Sequence, residues 1–131
     1  MKYVKVAVIS KKNEREDDIH LRMLDLTHLV QTHGGEFDRY NDALYTKIRA
    51  ITPDVEERTT VIGDMEERTV ILVDGKLVPD RFPVEEEAKQ LDGLDAVLDK
   101  DNQFFTEKKA CQKALEARDR RDWLYVFECY R

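Results

Sequence analysis

The chain has 131 residues, 41% of them apolar and 38% charged, with a net charge of −6. A domain of this length buries roughly two-thirds of its unfolded surface, so it needs neither disulfides nor a metal to fold. Its well-formed apolar runs exclude a disordered chain, and none approaches the roughly 20 residues of a membrane span.

Residues 3–9 open the chain as a strand, with Val4, Val6 and Val8 on one face and Ala7 and Ile9 on the other. Apolarity on both faces marks an interior strand. No signal-peptide layout precedes it, which predicts a cytoplasmic protein. Asn13 followed by Glu16 fits a capping box, and the acidic first turn suits the positive end of a helix dipole. Ile19, Met23, Leu26 and Val30 then recur at helical spacing up to Gly34-Gly35, so a helix is predicted over about 14–33. Residues 36–52 fit either period. The β-branched content of 44–52 and the stop at Pro53 favour a strand, with Asn41-Asp42 as a preceding turn.

Glu56-Glu57-Arg58-Thr59 recurs as Glu66-Glu67-Arg68-Thr69, and each copy runs into a β-branched segment. Two strands joined as a hairpin explain the echo. Asp74-Gly75 then turns the chain into a third short strand, residues 76–78. After Pro83, the spacing of Val84, Ala88 and Leu91 predicts a short helix ended by Gly93. Leu94, Val97 and Leu98 read as one or two further helical turns. Thr106 caps a predicted helix over about 106–121, and residues 123–130 alternate as a strand apolar on both faces. The expected architecture is a single α+β domain. Its mostly antiparallel sheet includes the N- and C-terminal strands at the centre, with the two longer helices packed on it.

The search for chemistry is mostly negative. Phosphate loops, dinucleotide turns, C-x-x-C, H-E-x-x-H and G-x-S-x-G motifs are absent. Ser10 is the one serine and lacks a Gly-rich turn, which disfavours a serine nucleophile. Cys111 and Cys129 fall on apolar faces and read as core thiols. The three histidines, His20, His28 and His33, all belong to the first helix or its end.

Asp17, His20, Asp25 and His28 form a doubled Asp-x-x-His placed opposite the core stripe. Carboxylate and imidazole are competent metal ligands, and a carboxylate can orient an imidazole for proton transfer. Yet His20 and His28 are about 12 Å apart along the helix axis, too far to share one ion. Leu21 and Leu24 add a second narrow apolar stripe beside them. It either contacts helix 106–121 or serves a partner, a second copy of the chain included.

Charge is uneven. Residues 1–52 carry 9 basic and 8 acidic side chains, 53–101 carry 6 and 15, and 102–131 carry 7 and 5. The middle segment, at −9, repels a phosphate backbone and disfavours nucleic acid. It suits a basic protein partner. The leading expectation is therefore a small acidic binding or regulatory protein without a cofactor. Its contacts are Glu56, Glu57, Glu66 and Glu67 of the hairpin and Leu21 and Leu24 of the helix, and it could inhibit a partner by presenting carboxylates in place of phosphates. The alternative is a metal-dependent or acid–base enzyme built on Asp17, His20, Asp25 and His28.

Overall fold

The computed structural model describes residues 3–63, 66–78 and 93–131. In chain order they form β1 (Val4–Ile9), α1 (Glu16–Thr32), β2 (Arg39–Thr52), β3 (Val55–Ile62), β4 (Glu66–Val73) and β5 (Lys76–Val78). Then follow β6 (Ala96–Leu98), β7 (Phe104–Phe105), α2 (Lys108–Ala117) and β8 (Leu124–Tyr130). The short helix expected after Pro83 lies outside the described residues.

The strands make one sheet in the order β5-β4-β3-β2-β8-β1-β6-β7. Only β1 and β6 run parallel; every other described neighbour pair is antiparallel. The α+β expectation holds, with β8 and β1 in the interior as their two apolar faces require. Val4, Val6, Val8, Tyr125, Phe127 and Cys129 meet Ile19, Met23 and Leu26 of α1 on one side. Ala7, Ile9, Leu124 and Val126 meet Cys111, Ala114 and Leu115 of α2 on the other. Among the described residues one helix packs on each face, as strand alternation allows.

This arrangement corrects one expectation. Leu21 and Leu24 do not contact the second helix, because the sheet lies between α1 and α2.

The helix ends also differ in part. Asn13 adopts a left-handed φ of 61° and is not the cap residue. The N-cap is Arg15, without a side-chain cap bond. Glu14 does the local work instead, its carboxylate accepting the Lys11 N–H at 2.9 Å. The other end is as expected. Gly34, at φ 69°, lets its own N–H reach Gln31 O and the Gly35 N–H reach Val30 O at 2.8 Å. The second helix is shorter than expected, spanning Lys108–Ala117 with Glu107 rather than Thr106 at its N-cap.

Leu94, Val97 and Leu98 are not helical. Ala96–Leu98 pairs with β1, and all three of its side chains are buried, because a strand held between β1 and β7 needs apolar groups on both faces. Residues 39–52 are one strand, so Asn41-Asp42 does not precede it. The turn signal is spent as a bulge inside β2, where Asn41 Oδ1 accepts the N–H groups of Ala43 and Leu44, each at 3.1 Å.

Candidate functional site

Among the described residues the α1-side core reaches outward along the sheet as far as Val61 of β3. The outer strands therefore extend past the helix and leave a cleft of about 860 Å³ between α1 and β2–β4.

Strand register builds one wall. Val61 pairs with Tyr45 on β2 and with Glu67 on β4, so these three side chains share the α1 face. Tyr40 joins them through the bulge. Tyr45 is five positions after Tyr40, an odd offset that in a regular strand would put them on opposite faces. Their partners on β8, Cys129 and Phe127, are only two apart, so the bulge restores both tyrosines to one side.

The helix supplies the other wall with Glu16, Asp17, His20, Leu21 and Leu24. His20 does not point away from the sheet. Its ring stacks on Tyr40 and meets Tyr45 and Phe127 edge-on, with centroids 5.3–5.8 Å apart. Its Nδ1 lies 2.8 Å from Tyr40 Oη, in a hydrogen bond whose direction the imidazole tautomer sets. Leu21 and Leu24 stand at the rim, 59% and 55% exposed.

Three carboxylates give the cleft its sign. Asp17, Asp42 and Glu67 line it without an ion pair among the described residues, whereas Glu16 is bound by Lys47 and by the Tyr45 hydroxyl. Partial burial works to raise the Glu16 pKa. The Lys47 ammonium and the Tyr45 hydroxyl outweigh it and hold the carboxyl below its ordinary value. Burial, with Asp42 nearby, pushes the Tyr40 phenol up to about 12. Burial and the Glu16 charge raise Tyr45 as well. Both tyrosines stay neutral hydrogen-bonding groups at physiological pH.

The structure thus brings together Asp17, His20, Leu21, Leu24 and Glu67 from the residues singled out in the sequence. It separates the others. Asp25 is exposed beside Arg22 and Leu29, and His28 is exposed on the helix surface. Among the described residues no three His, Cys, Asp or Glu side chains are grouped to hold a metal.

Glu56 and Glu57, adjacent on β3, point to opposite faces. Glu56 pairs with Arg58 at 2.6 Å and approaches Arg120, and Glu57 pairs with Arg49 at 3.0 Å. Glu66 is placed by its backbone alone, opposite Ile62. The sequence offers Glu16 only as a capping-box residue and Asp42 only as part of a turn, and it marks neither Tyr40 nor Tyr45 as a site residue. Strand register and the bulge put Tyr40, Asp42 and Tyr45 at the cleft, and α1 brings Glu16 to them.

Comparisons with protein-family models, with curated protein sequences and with solved structures gave no match to this chain.

Proposed function

We propose that the protein is a binding module that takes a cationic, partly apolar segment of a partner protein in the cleft between α1 and β2–β4. One observation carries this reading: three carboxylates that form no ion pair among the described residues converge on the same concave surface as the exposed leucines Leu21 and Leu24. A Lys or Arg side chain entering there gains charge complementarity, while its neighbours cover the two leucines. Concavity favours receiving a side chain over inserting into a partner's groove. An inhibitory phosphate mimic needs free carboxylates on one protruding face, and Glu56 and Glu57 are instead paired on opposite faces.

The test is a chemical-shift titration with a short peptide of alternating Leu and Arg, against a Leu and Glu control. The Arg peptide is expected to move amides of Asp17–Leu24, Asp42, Tyr45 and Glu67. Its affinity is expected to fall at least tenfold in Asp42→Lys/Glu67→Lys and to weaken with salt. Equal binding of both peptides, or binding untouched by the charge reversals, would refute the reading.

A second reading, acid–base chemistry at the same cleft, is favoured by the His20–Tyr40 hydrogen bond. It requires that His20→Gln abolish turnover while leaving peptide binding in place.

A further inference from the structure

On the opposite side of the molecule a second cleft, of about 550 Å³, opens between α2 and the carboxyl ends of the parallel strands β1 and β6. This volume is in the range of small-molecule sites, and the crevice beyond the carboxyl ends of parallel strands is a common position for them. Three groups of observations define what it would accept.

Its floor is apolar. Ile9 and Phe105 come from the strands, and Ala110, Ala114 and Ala117 come from one face of α2. Alanine at those three helical positions leaves the space that larger side chains would fill.

Its rim is cationic. Lys11 and Lys12 follow β1, Lys100 follows β6, and Lys113 and Arg118 flank the alanine face. None of these five forms an ion pair among the described residues. Arg118 is partly buried, with its guanidinium on the Leu115 carbonyl at 2.6 Å. Burial and the neighbouring Arg120 both press against its charge, and Glu56 offsets them in part.

Two of the three carboxylates in the lining are already engaged. Asp119 is gripped by Arg121 through three bonds, two from the guanidinium at 3.1 and 2.9 Å and one from the backbone N–H at 3.0 Å. Asp99 accepts the backbone N–H groups of Asp101 and Gln103 in its own turn. The remaining one, Asp122, lies close enough to Arg121 to raise its pKa.

We infer that this cleft is a binding site for a small organic anion, a carboxylate or phosphate ester carried on a flat apolar body. The body lies on Phe105 and the alanines, and the anion meets Lys11, Lys12, Lys113 and Arg118. The site is independent of the α1 cleft, since the sheet separates them.

Titration of the ¹⁵N-labelled protein with 2-naphthoate and with 2-naphthyl phosphate tests this. Inorganic phosphate and 2-naphthylmethylamine are the controls. The two naphthyl anions are expected to shift amides of Lys11, Lys12, Lys100, Phe105 and Ala114–Arg118, and the relative response to the two shows which anion the rim prefers. Lys113→Glu, at an exposed position, is expected to weaken them at least tenfold, and Ala117→Trp to block them by filling the floor.

Three results would overturn the inference. They are no localised shifts at millimolar ligand, equal shifts from the amine, and full affinity in Lys113→Glu. Inorganic phosphate binding as tightly as the naphthyl anions would reduce the site to a bare anion contact and refute the apolar component.

Discussion

Arg22 ties four parts of the chain together, and its replacement gives the sharpest stability prediction. Its guanidinium pairs with Glu14 at 2.8 Å, bonds Asn102 Oδ1 at 2.8 Å, and donates to the carbonyls of Ile9 and Asp99. It therefore joins α1 to the end of β1, to the segment before the helix and to the β6–β7 turn. The pair is desolvated, with side chains 9% and 7% exposed. Arg22→Met keeps the aliphatic stem but strands the Glu14 carboxylate, whose remaining partner is the Lys11 N–H. Removing one member of a buried pair costs about 3–5 kcal/mol. At about 3–4 °C per kcal/mol for a chain this long, Tm falls by roughly 10–20 °C.

Glu14→Gln is expected to cost clearly less, about 1–2 kcal/mol, because Arg22 keeps three neutral acceptors. In the double variant Arg22→Met/Glu14→Gln the stranded charge is gone, so part of the loss returns. Urea unfolding with a common m-value measures all three. An Arg22→Met cost under about 1 kcal/mol, or a double variant no better than the single, would show that the pair is solvated and the reasoning wrong.

The C-terminal turn of α1 separates two kinds of glycine. Gly34→Ala meets no atom within 4 Å and bears only the positive-φ strain, about 1 kcal/mol. Gly35→Ala drives its Cβ into Val30 Cγ1 and to 2.9 Å from Val30 O, so it costs about 2–3 kcal/mol. Val30→Ala relieves only the side-chain part, and a reversed order in denaturant midpoints would contradict this geometry. Burial pushes the Cys129 thiol up to about 12, and burial also raises Cys111. Ellman's reagent should label Cys129 only at the rate of unfolding, and rapid native labelling would disprove its enclosure. The Arg121 side chain and backbone N–H lower the Asp119 carboxyl to about 2. The stabilisation from a carboxyl depressed in this way is complete above its ordinary value of 3.8 and is lost as pH falls through about 2. Carbon-detected titration should find that midpoint and see it rise in Arg121→Ala.

The parts of this fold that were readable are those where a local signal met no competitor. β1 and β8 carry apolar residues on both faces, which only an interior position satisfies. Asp74 and Gly75 both take positive φ, as the hairpin turn between β4 and β5 demands. The helical spacing of Leu94, Val97 and Leu98 hides β6, and three residues are too few to show a strand period. The partner strand β1, ninety positions earlier in the chain, decides its conformation. Arg22 is hidden for a related reason. It falls within the buried sector of α1, and its acceptors come from segments distant in sequence. The helical period places Asp17 and His20 opposite the core stripe, but the sequence does not show where a sheet ends. The sheet runs past α1, so Asp17 and His20 face a wall of β2–β4 rather than open water.

The same geometry decides which acidic residues can bind anything. The middle of the chain carries 15 acidic against 6 basic side chains, yet a sequence count does not separate internal charges from free ones. Glu56 holds Arg58, which is 8% exposed, and also faces Arg120, so Glu56→Lys puts a cation where an anion was holding two. Its expected cost is about 1–3 kcal/mol of stability. Glu67 lies at the cleft, exposed and without an ion pair among the described residues, so Glu67→Lys should fold within about 0.5 kcal/mol of the parent protein. Binding of a cationic peptide should respond in the opposite order, falling with Glu67→Lys and staying near parental in folded Glu56→Lys. If both substitutions weakened binding equally without loss of stability, long-range charge rather than the cleft would be governing association.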